Sequence, residues 1–95
     1  SRIEGLFKRA ETVAEERRRE EAARVEKSCN KLVDKVYGNF ERSFNEGSKK
    51  VTTYGNVSET VLECAKKRLE NDGLIVTYYP ETEYVHGKII AEYKK

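Results

Sequence analysis

His86 is the single histidine of the chain and the one side chain whose ordinary titration falls near neutral pH. Acid–base or nucleophilic catalysis would need it beside a positioned nucleophile or carboxylate. Instead it sits between Val85 and Gly87, with no Ser or Cys at a recognisable spacing, and reads as a packing or surface residue. The carboxylates are scattered, with no D-x-D or H-x-x-E arrangement. Cys29 and Cys64 stand 35 residues apart with no second Cys or His near either, so no zinc-ligand set forms. Each falls in an apolar helical stripe, so buried free thiols are expected, which fits a reducing compartment. The glycines are isolated and build no phosphate-cradling loop. The expectation is no enzyme: no catalytic residues, no cofactor and no metal.

Cationic side chains offer a second chemistry. Lys66, Lys67 and Arg68 are consecutive, Lys88 follows on a hairpin, and Lys49-Lys50 and Lys94-Lys95 flank strands. A helix over 57–72 followed by a hairpin over 74–93 resembles the recognition helix and wing of winged-helix proteins. The resemblance spans 50–95 and departs from the family by lacking one of its helices. Nucleic-acid binding through Lys66, Lys67, Arg68 and Lys88 is therefore the alternative expectation, with Tyr78, Tyr79, Tyr84 and Tyr93 as candidate stacking residues. Against it, Glu59, Glu63 and Glu70 interrupt the basic run, and carboxylates repel phosphate. Overall charge nominates no partner. Nineteen basic residues face 17 acidic ones for a net +2, shared almost evenly between the halves.

The elements that must position these groups divide the chain in two. In residues 1–48, Ala22, Val25, Cys29, Leu32, Val36 and Phe40 step by 3 and 4, and Phe44 keeps the phase, an apolar seam of about six helical turns. Upstream, Ile3, Leu6, Ala10 and Val13 form a shorter seam. Between them Glu15-Glu16-Arg17-Arg18-Arg19-Glu20-Glu21 holds no apolar residue and reads as a solvated interval, supported by pairs such as Glu15–Arg19 and Glu20–Arg24. Gly38 weakens the helix by about 1 kcal/mol relative to Ala, but the seam runs through it. Gly47 is the expected left-handed stop.

Residues 49–95 read as strand–helix–strand–strand. Lys50–Tyr54 is rich in β-branched residues. Asn56-Val57-Ser58-Glu59 offers an N-cap with Glu three residues on, and Val57, Val61, Leu62, Ala65 and Leu69 share a helix face. Gly73 ends that helix, and strands at Leu74–Tyr79 and Val85–Tyr93 flank a turn at Pro80–Tyr84. Val85, Gly87, Ile89, Ala91 and Tyr93 would line one face of the last strand. The predicted fold class is α+β: a long N-terminal helix, then a β-α-β-β unit with a small three-stranded sheet of mixed direction and the last strand central. The domains are a charged amphipathic arm over 1–48 and a compact unit over 49–95.

With 37% hydrophobic and 38% charged residues, the core of so small a unit is marginal. No apolar run approaches the roughly 18 residues of a membrane span, and no signal-peptide core is visible. The chain is expected to be soluble and cytoplasmic, and, holding no Met, to have lost its initiator. The run Tyr54-Gly55-x-x-Ser58-Glu59-x-Val61, with Leu69, Gly73 and Val76, resembles small bacteriophage-encoded accessory proteins of unassigned role. That resemblance covers about residues 20–93 and implies action in the host cytoplasm on a host or virion protein. A helix of about 45 residues spans roughly 65 Å, whereas a short sheet spans roughly 15–20 Å. The C-terminal third of the arm can therefore fold back, but the N-terminal remainder, with the seam from Ile3 to Val13, must look outward. The leading expectation is a non-enzymatic interaction or self-assembly module. Its partner, a protein or a second copy in a coiled-coil-like pairing, would meet Ile3, Leu6, Ala10, Val13, Ala22, Val25, Cys29, Leu32, Val36 and Phe40. No membrane or metal partner is expected.

Overall fold

A computed structural model describes residues 1–94; Lys95 of the expected basic pair lies outside the described residues. One helix, α1, runs Arg2–Ser43. It opens with a capping box in which the Glu4 N–H donates to Ser1 Oγ at 3.4 Å, and it passes Gly38 unbroken. A single 3-10 turn, Phe44–Glu46, closes onto Gly47 at φ 67°, a left-handed position that glycine fills without a Cβ penalty. Then follow β1 (Lys50–Tyr54), α2 (Glu59–Asn71), β2 (Leu74–Tyr79) and β3 (Lys88–Tyr93). The class is α+β.

The sheet order is β1-β3-β2, with β3 central as the sequence implied. Both pairings are antiparallel, which corrects the expected mixed sheet. The α2 crossover carries the chain from β1 to a β2 of the same direction, and leaves a gap of one strand between them. The hairpin return fills that gap and runs against both neighbours.

Two boundaries also move. Ser58, not Asn56, caps α2, its Oγ accepting the Val61 N–H at 3.3 Å. Asn56 instead accepts the Gly87 N–H (3.2 Å) and donates to Glu81 (3.2 Å). Val57 therefore precedes the helix, where it packs half-buried against the core. The last strand begins at Lys88, not Val85. Thr82 draws the backbone into a turn by accepting the Tyr84 and Val85 N–H groups on its hydroxyl, and Val85 is left exposed.

Both helices lie on one face of the sheet. Alternation along the strands sends Val51 and Thr53, Leu74 and Val76, and Ile89 and Ala91 to that face. They meet Val61, Leu62, Ala65 and Leu69 of α2 and Cys29, Leu32 and Val36 of α1 in one core. Where α1 crosses α2, Cys29 and Cys64 are 5.9 Å apart between Cα atoms and are joined as a disulfide, within the separation such a bond requires. This corrects the expectation of free thiols: the two helical stripes face each other, a meeting that spacing along one helix does not reveal. Arg68 adds a second tie, its guanidinium bonded to Asn30 and paired with Glu26 of α1. A third joins the Tyr37 hydroxyl to the Asp72 carboxylate. Burial, then the bond to Asp72 and its charge, push the Tyr37 hydroxyl up to about 12.

The opposite face of the sheet is uncovered. Across it run Lys50, Glu92 and Ile75, then Thr52, Ile90 and Thr77, then Tyr54, Lys88 and Tyr79. The molecule measures 68 × 31 × 18 Å, and its long dimension is that of α1.

Candidate functional site

Every residue from Ser1 to Arg24 is exposed, and Val25 is the first position of α1 that packs. Residues 2–24 thus form a helix surrounded by water, continuous with a segment held by the core. On it Ile3, Leu6, Phe7 and Val13 remain 65%, 59%, 66% and 46% exposed, beside the small Ala10 and Ala14. At 3.6 residues per turn these share one stripe. Arg2 and Arg9 fall along one flank of it, Glu4 and Glu11 along the other. The seam is apolar in the middle, basic on one side and acidic on the other.

Of the residues named for an outside contact, Ile3, Leu6, Ala10, Val13 and Ala22 face solvent. Cys29, Leu32 and Val36 do not: they are buried in the chain's own core, with Val25 and Phe40 packed against it. The second seam meets its own sheet and α2, so those five side chains are already covered. Correspondingly, the packed body starts at Val25 rather than residue 49. Phe7 was missed because a strict count of Ile3, Leu6, Ala10 and Val13 steps over it. Its spacing of 4 from Ile3 was the available signal.

The charged interval is a solvated stretch. Arg19 bonds Glu15 at 2.9 Å with both side chains mostly exposed, a pair of the kind that contributes at most about 0.5 kcal/mol.

The cations proposed for nucleic acid do not share a surface. Lys66, Lys67 and Arg68 are on α2, on the helical side of the sheet. Lys66 pairs with Glu70 at 3.8 Å, and Arg68 is engaged with α1. Lys88 is on the open sheet face, its ammonium 5.2 Å from the centroid of the Tyr79 ring. His86 lies in the β2–β3 connection, at a concavity of about 350 Å³ formed with Tyr54, Tyr79, Tyr84, Val85 and Lys88. Neither cysteine is near it, since both are in the bond between the helices. Among the described residues no three or more His, Cys, Asp or Glu converge as a metal site, and no helix is long and apolar enough to cross a membrane.

Compared with known protein families, characterised proteins and solved structures, the chain matches none.

Proposed function

We propose that the protein is a non-enzymatic interaction module in which the projecting half of α1 docks against a helical segment of a partner protein. One observation carries this: Ile3, Leu6, Phe7 and Val13 are about half or more exposed on a helix that extends beyond its own domain, so nothing in the body of the chain covers them. Exposed apolar stripes of this kind mark contact surfaces, and helix-in-groove recognition reads side chains at this spacing. The flanks specify the partner's chemistry: an apolar seam with acidic residues opposite Arg2 and Arg9 and basic residues opposite Glu4 and Glu11. The resemblance to small phage-encoded proteins is what suggests a host or virion protein as that partner. The expectation of cytoplasmic residence loses the support of free thiols, because the two cysteines are paired and a lasting disulfide fits an oxidising compartment better.

The test is a photo-crosslinking residue placed at Phe7, or at Thr12 on the opposite side of α1, in the native host. Adducts should form from position 7 and not from position 12. The protein identified in the adduct, once purified, should bind Leu6→Asp with Val13→Asp at least about tenfold more weakly than wild type, the loss expected for charging two buried apolar contacts. Equal adducts from both faces, or none from either, would overturn the reading.

A further inference from the structure

The two rims of the sheet are finished differently. The Tyr93 N–H donates to the Lys49 carbonyl at 2.8 Å and the Gly55 N–H to the Gly87 carbonyl at 2.9 Å. Odd-numbered residues of β3 therefore turn their main chain toward β1, and Lys88, Ile90 and Glu92 turn theirs toward Tyr79, Thr77 and Ile75 of β2. It follows that Lys50, Thr52 and Tyr54 point outward on the β1 rim, and Leu74, Val76 and Tyr78 outward on the β2 rim.

On the β1 rim each of the three outward carbonyls has a side-chain donor. Ser48 Oγ donates to Lys50 O (2.8 Å), Asn39 Nδ2 to Thr52 O (3.5 Å) and Lys35 Nζ to Tyr54 O (2.8 Å). On the β2 rim the outward N–H and C=O groups of Leu74, Val76 and Tyr78 have no partner among the described residues. Bare strand edges are templates for another strand, and proteins generally blunt them. Here one rim is blunted and the other is not. The bare strand, Leu74-Ile75-Val76-Thr77-Tyr78-Tyr79, holds no charge, Gly or Pro, and a groove of about 650 Å³ runs beside it against Leu62, Glu63 and Lys66 of α2.

We propose that β2 pairs antiparallel with β2 of a second copy, on a two-fold axis through Thr77, joining two sheets into one of six strands. The strand is complementary to itself in that register. Val76 and the partner copy's Tyr78 both turn their main chain outward and exchange two hydrogen bonds, and symmetry repeats the exchange. On the open face Ile75 meets the copy's Tyr79, an aliphatic–aromatic pair, and Thr77 meets Thr77, both favourable cross-strand combinations. Pro80 follows directly and, having no N–H, ends the ladder. The same two-fold sets α2 antiparallel to its copy, with the groove between α2 and β2 of each copy beside the shared edge. This contact is separate from the arm, and it would give the assembly two arms.

The experiment measures mass by light scattering over a concentration series of the full chain, for wild type, Thr77→Lys, Thr52→Lys and Leu6→Asp. Thr77 and Thr52 are both exposed on the open face, and far-ultraviolet circular dichroism verifies that each variant folds. Wild type should dimerise. Thr77→Lys should weaken the dimer roughly tenfold, through lost Thr–Thr pairing and like charges facing across the axis, while Thr52→Lys and Leu6→Asp leave it unchanged. In addition, Thr77→Cys should yield a disulfide-linked dimer on oxidation and Thr52→Cys should not. A wild type that stays monomeric at millimolar concentration overturns the proposal. So does a dimer lost in Leu6→Asp but kept in Thr77→Lys, which would seat self-association on the arm. A monomer whose β2 amides are protected only by an added extended peptide overturns it too, giving the rim to a foreign strand.

Discussion

Residues 2–24 and 25–43 of α1 form one uninterrupted helix, yet only the second stretch touches the rest of the protein. It is tied by Cys29, Leu32 and Val36 in the core, by the bond to Cys64, and by Arg68 and Tyr37. The first stretch has a comparable apolar spacing but no surface to meet. Periodicity therefore says which way a helix face points and not what it finds there. What separates the two is tertiary reach: most helical stability in a protein comes from packing, and starting a helix is its costly step, so residues 2–24 borrow their nucleus from the clamped half.

Several substitutions test how sharp that division is. Cys29→Ala with Cys64→Ala should lower stability by about 4 kcal/mol, the chain-entropy value for a loop of this size. Urea unfolding without reductant measures it, and an unchanged midpoint would mean the bond is not what clamps α1. Leu32→Ala in the clamped half should cost about 3 kcal/mol in the same assay, against a change within about 0.5 kcal/mol for Leu6→Ala in the free half. Equal costs would show that the first half is covered in the free protein.

Alkali probes the same clamp. The fold raises the Tyr37 hydroxyl to about 12 from its ordinary 10.0, so folding favours the protonated form. Its contribution is fully present below pH 10 and is lost as pH rises through 12. Tyr37→Phe should therefore unfold with a flatter dependence on pH over that window. In the helix interior, Gly38→Ala meets nothing within 4 Å and should stabilise by about 0.5–1 kcal/mol. Smallest of all, Glu15→Ala should change stability by less than about 0.5 kcal/mol, while slightly speeding amide exchange in residues 2–24.

Much of the fold could be read from the chain because it is encoded locally. The 3- and 4-residue steps of both seams, the left-handed Gly47 and Gly73, and the β-branched run at Lys50–Tyr54 each act within a few residues. What was misread involved distant partners. Asn56 looked like a cap, but it is occupied by Gly87 and Glu81. Val85 continued an alternating pattern, but Thr82 bends the backbone before β3 begins. The direction of β1 relative to β3 depends on a crossover, and the Cys29–Cys64 bond on how two helices cross. At the candidate site the first seam was legible, since its residues sit where their spacing puts them. That the second seam could fold back on its own sheet followed from the lengths, but which of its side chains are buried did not, because the sheet that covers them is built from residues 50–93. The bare β2 rim was also hidden, since a main-chain vacancy has no residue signature.

The charged stretch from Glu15 to Glu21 acts as a spacer, and its length matters. It helps place Leu6 roughly 35 Å along the helix axis from Cys29, several times the Debye length of about 8 Å at physiological salt. Across that distance the fields of the body are screened, so Arg2, Glu4, Arg9 and Glu11 present their own local potential whatever charges the sheet carries. Changes at the tip and changes in the body should accordingly add without cross-talk. If the tip is the docking surface proposed above, its contact can be retuned without renegotiating how the body folds.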